Sequence, residues 1–198
     1  MGLFDLLFFG GKAKALRSPK SIRHNGKRLS EILDAHEKFH LRQPGGSRAD
    51  LAGARLSYAD LRGRDLTAAV LAGCSLQGAD LRGAKLGSAD LSQSNLRKAD
   101  LRNCDLTEAK LEKADLSEAD LSGTELFRGD LRSAVLHKTI LRGTVLRQAN
   151  LRGADFSGSD LTLASFREID LTDVKLDGAD LSNAVVRDIQ NANVSEKE

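Results

Sequence analysis

The chain has 198 residues and a net charge of +2, with 40% hydrophobic and 29% charged residues. This composition supports one large domain or two small ones and argues against wholesale disorder. Aromatic residues make up only 4% of the chain, which disfavours a nucleic-acid binder that stacks single-stranded bases. No run approaches the roughly 18 apolar residues of a membrane-spanning helix. Two cysteines do not make a disulfide framework and suit a reducing compartment.

Residues 1–28 combine a short apolar stretch with a run of bases. The stretch is too short to span a bilayer, and it lacks the basic start and the cleavage site of a secretory signal. Two interpretations stay open. The segment is an anchor that docks on an anionic membrane surface or a protein assembly, or it caps the open end of the fold. The predicted docking residues are Leu3, Phe4, Leu6, Leu7, Phe8, Phe9, Lys12, Lys14 and Arg17.

Residues 29–48 are predicted to form a capping helix followed by a Gly/Pro linker. Ser30 is the expected N-cap, and Pro44-Gly45-Gly46 ends the helical pattern. The apolar stripe suits a helix that covers one end of the fold. The stripe contains Leu29, Ile32, Leu33, His36 and Phe39.

The same helix contains a literal H-E-x-x-H sequence, from His36 to His40. In metalloproteases this spacing places two zinc-binding histidines on one helical face, and Glu37 would then be the general base. Such a site needs a third ligand and a substrate cleft, and the only other histidines are His24 and His137. A zinc hydrolase is therefore a remote alternative. No cofactor is expected.

Residues 49–190 contain an unbroken five-residue repeat. From Leu51 to Leu181 every fifth residue is Leu or Phe, over 27 consecutive positions. The residue two positions earlier is small in 24 of these blocks, and the residue between the two is Asp or Asn in 16. The exceptions in the small-residue slot are Arg64, Ile169 and Val174.

A period of five fits neither a helix, where the leucines would spiral around every face, nor a continuous strand, where they would alternate sides. Within one block, however, the small residue and the Leu are two apart and share a face. The pattern therefore predicts a short extended step, a corner and another step, which together build an all-β solenoid with a leucine interior. Phe156, Phe166, Ile169 and Val174 occupy inward slots and are predicted core residues. A polar tail, residues 191–198, follows the repeat.

The run "ADLRGAKLGSADLSQSNLRKADLRNCDL" resembles the pentapeptide-repeat proteins, whose motif is A(D/N)LxX. The stretch before the repeats is similar to helical leaders of bacterial members. The resemblance implies a right-handed quadrilateral β-helix with four blocks per coil and about seven coils. On that geometry Cys74 and Cys104 lie on opposite faces, too far apart for a disulfide, and both are interpreted as buried thiols.

Stacking at twenty residues also predicts the surface. Asp60, Asp80, Asp100 and Asp120 would form one column beside Arg62, Arg82, Arg102 and, further along, Arg142. Some pentapeptide-repeat proteins imitate B-DNA and bind DNA gyrase, which requires a strongly acidic surface. Here the arginine columns cancel the aspartate columns, which disfavours this function. A DNA-mimicking modulator of gyrase or topoisomerase is therefore the alternative that ranks below the scaffold and above the zinc hydrolase. No direct nucleic-acid binding and no small-molecule substrate are expected.

One coil departs from the polar surface. The outward slot that is usually Asp is Val135, Ile140 and Val145 in three successive blocks, and residues 131–150 contain no acid. An apolar band rimmed by bases is a candidate partner site, although these residues also simply favour extended structure. The predicted partner-binding residues are Phe127, Val135, Ile140, Val145, Arg132, Arg142 and Arg147.

The sequence thus favours a non-catalytic interaction scaffold, a rigid rod tethered through its N-terminal segment to a protein assembly or membrane surface. Its partners would be proteins. Its expected location is the cytoplasm, including the inner face of the membrane if residues 1–28 bind lipid.

Overall fold

A computed structural model describes residues 15–190. Near its N-terminal end, a short 3₁₀ turn, Pro19–Ser21, precedes an antiparallel pair formed by β1, Arg23–His24, and β2, Lys27–Arg28. The helix α1, Leu29–His40, follows directly. The only other strands of two or more residues in the described chain are β3, Ser165–Arg167, and β4, Val185–Arg187, which pair in parallel. In the described part of the chain, no helix is both long and apolar enough to cross a bilayer.

The repeat region is held together by single parallel bridges between residues twenty positions apart, beginning with Asp50 and Val70 and ending with Asp170 and Gln190. Each coil uses the same backbone bonds. The amide of Leu51 donates to the carbonyl of Val70 at 2.8 Å, and the amide of Val70 donates to the carbonyl of Ala49 at 2.9 Å. The repeat is therefore solenoid-like, as the sequence predicts, and its bridges join residues that lie four five-residue blocks apart.

The interior of this solenoid is filled by the residues of the two inward slots. Every fifth-position leucine from Leu51 to Leu161 is fully buried. Phe156, Phe166 and Ile169 are buried as predicted, whereas Val174, in the last described coil, is only half-buried. Because the side chains alternate between inside and outside within each block, the residue between the two inward slots points away from the leucine interior.

Polar residues in the small-residue slot, apart from Ser94, whose hydroxyl donates to the Leu91 carbonyl at 2.7 Å, are satisfied by one recurring hydrogen bond. The thiols of Cys74 and Cys104 donate to the carbonyls of Leu51 and Leu81, both at 2.9 Å. Burial raises the pKa of each thiol to about 12. Both cysteines are free and buried, as predicted. The hydroxyls of Thr124, Thr139, Thr144 and Ser159 make the same bond to the leucine carbonyl 23 residues earlier.

The helix α1 packs at the N-terminal end of the repeat. Leu29 and Leu33 belong to the same buried cluster as the repeat leucines, and His36 is fully buried. Phe39, predicted to lie on the buried stripe, is instead 44% exposed. The N-cap is Arg28 and not Ser30, because the helix continues directly from β2 and the Glu31 carboxylate accepts the Arg28 amide hydrogen at 3.0 Å.

Arg64 departs from the rule for the small-residue slot because it lies in the first coil. Its backbone follows the repeat, and its amide donates to the Leu61 carbonyl at 3.2 Å. Its side chain is exposed and lines a depression of about 290 Å³ between the coil and α1. The long side chain thus leaves the interior at the end of the rod, where no preceding coil of the described chain blocks it.

Candidate interaction surfaces

The apolar residues of the predicted band lie on three different sides of the rod. Val135 bridges Asp115 and Asp155, Ile140 bridges Asp120 and Asp160, and Val145 bridges Glu125 and Ser165. All three are half-buried. The three residues therefore ring one coil and do not form one flat patch. In a four-sided solenoid, a continuous surface is built by residues twenty apart rather than five apart.

The bases of the predicted band are already paired with acids. Arg132 bonds Asp130 at 2.8 Å and Glu112 at 3.1 Å. The hydrogen bond from Arg132 lowers the pKa of Asp130. Arg142 forms an ion pair with Asp160, and Arg147 forms one with Glu168 at 2.9 Å. Pairs of this exposed kind contribute little to stability, and they reduce the local positive charge that the sequence predicts.

Among the predicted partner-binding residues, the structure brings Phe127, Val145 and Arg147 to the same side of the rod. Phe127 is half-buried. The guanidinium carbon of Arg128 lies 4.8 Å from its ring centre, and that of Arg147 lies 5.8 Å away. Such cation–π contacts fix the aromatic ring against the rod.

Sequence reasoning missed Leu163, which is 62% exposed. It lies in the second position after an inward leucine, at the corner that precedes the side containing Val145. The signal was present in the sequence, because Gly or Asn occupies this corner position in all the remaining coils. Those residues are Gly63, Gly83, Asn103, Gly123, Gly143 and Asn183.

The predicted aspartate and arginine columns form one continuous ladder. Each arginine bonds the aspartate of its own coil at 2.6–2.7 Å and lies 3.5–3.7 Å from the aspartate of the next coil. The hydrogen bonds from Arg62 lower the pKa of Asp60. The ladder runs from Asp60 to Asp120, and its charges neutralise one another. This side of the rod therefore lacks the uncompensated acidity that imitation of DNA would require.

The predicted docking residues of the N-terminal segment lie outside the described residues, except for Arg17. Arg17 bridges Ala59 in parallel and accepts the Asp60 amide hydrogen at 2.9 Å. Its guanidinium lies 3.4 Å from the carbonyls of Arg55 and Ser57. Arg17 is thus engaged with the edge of the first coil, which is the behaviour expected of a cap.

The H-E-x-x-H sequence is used to attach α1 to the first coil. The amide of Ala49 donates to His36 Nδ1 at 3.0 Å, so a neutral His36 ring carries its proton on Nε2 and cannot offer that atom to a metal. Burial lowers the pKa of His36, and His40 lowers it further, so the ring is neutral at pH 7. His40 Nε2 lies 3.0 Å from the Thr67 carbonyl. Within residues 15–190, no group of three or more His, Cys, Asp or Glu is arranged to hold a metal ion.

The ladder of bridges and the leucine-filled interior define a β-solenoid built from five-residue repeats. The chain belongs to the pentapeptide repeat family. The family model described as "Pentapeptide repeats (8 copies)" matches residues 49–87, 84–123, 130–167 and 164–187. A comparison with curated proteins finds no match.

Several solved structures are similar to the chain. HetL from Nostoc sp. strain PCC 7120, a pentapeptide repeat protein involved in regulation of heterocyst differentiation, is 31% identical over 69% of this chain and 82% of its own, with a TM-score of 0.24. Rfr23 from Cyanothece 51142 is 35% identical over 54% of this chain and 63% of its own, with a TM-score of 0.26. Full-length QnrB1, a plasmid-mediated fluoroquinolone resistance protein, is 22% identical over 73% and 92%, with a TM-score of 0.29.

Proposed function

We propose that the protein is a non-catalytic interaction scaffold, a right-handed β-helical rod of about seven coils capped by α1. One observation carries this proposal: the interior leucines from Leu51 to Leu161 are all fully buried. A filled interior leaves the outer surface for binding, and a solenoid with one repeated backbone pattern presents that surface rigidly. Solenoid repeat proteins generally act through such surfaces.

The N-terminal segment is the proposed tether. Residues 1–48 carry ten bases against four acids, and an apolar stretch beside a polybasic stretch provides the two signals that stable membrane attachment needs. Docking on a protein assembly uses the same two features. In this proposal the rod is cytoplasmic, and residues 1–28 hold it at the inner face of the membrane or on a partner complex.

Fractionation of native cells tests the tether. We expect the full chain to sediment with membranes or a large complex, and a chain lacking residues 1–11 to be free. A chain lacking residues 191–198 is the matched control and should behave like the full chain. Vesicles with and without anionic lipid then separate the two attachments, because only a lipid anchor binds anionic vesicles when no other protein is present. A full chain that remains free and alone in both assays would refute the tether.

Modulation of gyrase is disfavoured by the neutralised ladder from Asp60 to Asp120. We expect no change in DNA supercoiling by purified gyrase when the full chain is added, with or without a fluoroquinolone. Protection of gyrase in that assay would replace the scaffold proposal.

A further inference from the structure

Three arginines and an exposed leucine lie with Phe127 and Val145 on one side of the rod, towards its C-terminal end. Val145 bridges Ser165, and Ser165 in turn pairs with Val185, so these residues stack in three successive coils. A second column lies beside this one. It contains Arg147, Arg167 and Arg187, each two residues after its neighbour in the first column. We call this surface the arginine face, with its defining residues Phe127, Val145, Arg147, Leu163, Arg167 and Arg187.

Leu163 is unfavourable for the isolated rod in two ways. Its backbone has a φ of +61°, a left-handed conformation that costs an ordinary side chain about 1–2 kcal/mol and that this position of the block also adopts elsewhere in the rod, for example at Glu118 and Lys138. Its apolar side chain is 62% exposed. All the remaining coils have Gly or Asn at this corner. These two residues adopt the left-handed region most readily. An apolar side chain that is mostly exposed adds little to the stability of the rod, so a binding surface is the better explanation for a leucine at this corner.

The placement of two arginines on this face is also unfavourable for the stability of the isolated rod. Arg167 and Arg187 are directly paired in the β3–β4 ladder, and like charges placed opposite one another on neighbouring strands are destabilising. Neither guanidinium has an ion pair with any described residue, and both side chains are exposed. Glu168, the nearest carboxylate in sequence to Arg167, is already bonded to Arg147 and Gln148. Asp188 is the other acid at this end of the face.

Exposed guanidinium groups beside an apolar side chain match an acidic ligand that also carries apolar groups. Each guanidinium offers a planar set of donors that fits a carboxylate, and arginine with apolar anchors is typical of the energetic centre of a protein interface. We propose that the arginine face binds an extended acidic segment of a partner protein, with partner carboxylates on Arg167 and Arg187 and a partner apolar side chain against Leu163. This site rests on the scaffold function and supplies the chemistry of its partner.

A synthetic peptide tests the arginine face. The probe is a dye-labelled, acetylated and amidated peptide, Glu-Leu-Glu-Glu-Leu-Glu, titrated with the full chain by fluorescence anisotropy. We expect saturable binding that weakens with salt. The dissociation constant should rise at least tenfold in Leu163→Gly, and likewise in the double variant Arg167→Gln with Arg187→Gln. The melting temperature of Leu163→Gly should stay the same or rise, because glycine relieves the backbone strain.

Two controls make the result specific. Arg152→Gln removes an exposed arginine that has no ion pair among the described residues and lies on another side, so it should leave binding unchanged. The peptide Gln-Leu-Gln-Gln-Leu-Gln should not bind. Equal affinity of Leu163→Gly and the natural chain, equal binding of the glutamine peptide, or no binding by the full chain would each overturn the proposal.

The same assay separates this site from the tether. A chain lacking residues 1–11 should bind the acidic peptide as the full chain does. Peptide binding without sedimentation would contradict only the tether, and sedimentation without peptide binding would contradict only the arginine face.

Discussion

The two ends of the described rod bury the same kind of residue to very different extents. At the N-terminal end the first-coil leucines, such as Leu51 and Leu61, are fully buried beneath α1 and the segment that contains Arg17. In the last described coil Leu181 is 38% exposed and Val186 is 52% exposed, although both occupy the inward slot. An inward leucine is therefore protected only when something covers the coil on both sides. Stability should be concentrated in the coils that have a neighbour at each end.

We expect the largest difference in the free energy of unfolding between two variants at the same inward position, one in the interior and one in the last described coil. Leu101→Asp places an unpaired carboxylate among fully buried side chains, so we expect a loss of about 3–5 kcal/mol in the free energy of unfolding, enough to disrupt the rod. Leu181→Asp changes the same slot four coils later, where the carboxylate reaches water. We expect Leu181→Asp to lower the free energy of unfolding by less than about 1 kcal/mol. Urea denaturation of the two variants measures the difference, and equal losses would show that the last coil is covered as well as the interior.

The second contrast compares side chains at the two ends. Leu33 lies on α1, is 4% exposed and packs in the same cluster as the repeat leucines. We expect Leu33→Ala to lower the free energy of unfolding by about 2–5 kcal/mol. Val186→Ala, in the last coil, should cost under about 0.5 kcal/mol, because its side chain is already half in water. Thermal unfolding of both variants checks the order. A larger loss in Val186→Ala would mean that the C-terminal end is the better covered one.

The sequence predicted the interior more completely than the surface. A period of five with paired inward slots determines which side chains are buried, because the solenoid is the arrangement that puts them all inside. The burial of Phe156, Phe166 and Cys104 followed from slot position alone. Surface neighbours depend on the number of residues per coil, since a patch is formed by residues twenty apart. Grouping Val135, Ile140 and Val145 by their closeness in sequence therefore placed three sides of the rod in one band.

Two features needed three-dimensional information. The N-cap at Arg28 depends on the hairpin of β1 and β2. The turn residues Asn25-Gly26 are the one signal of this hairpin in the sequence. The role of His36 depends on the amide of Ala49, thirteen residues away. A motif search sees only the spacing of the two histidines, whereas the hydrogen bond decides which nitrogen carries the proton. By contrast, Leu163 could have been found by comparing corner residues at intervals of twenty.

The smallest expected effect concerns an ion pair that ties the last coil to the coils before it. Asp155 lies 3.0 Å from His137 Nε2 in the preceding coil and 3.4 Å from Lys175 Nζ in the following one. Burial would raise the pKa of Asp155, but hydrogen bonds from Ser157, His137 and Lys175 outweigh it and hold the pKa well below its usual range. A carboxylate whose pKa is lowered on folding stabilises the protein above its unfolded pKa of about 3.9, and the contribution is lost as the pH falls below that value.

We therefore expect Asp155→Asn to be less stable than the natural chain at pH 7, and the difference to shrink as the pH falls from about 4 towards the lowered pKa. Asp177→Asn, an exposed aspartate on the same side in the next coil that has no ion pair among the described residues, is the matched control. Its stability should follow that of the natural chain throughout. The test is to measure the melting temperatures of both variants and of the natural chain from pH 7 down to the pH at which the protein unfolds. A constant difference between Asp155→Asn and the natural chain would show that the carboxylate acts through its shape and hydrogen bonds rather than its charge, and that charge does not tie the last coil to the rod.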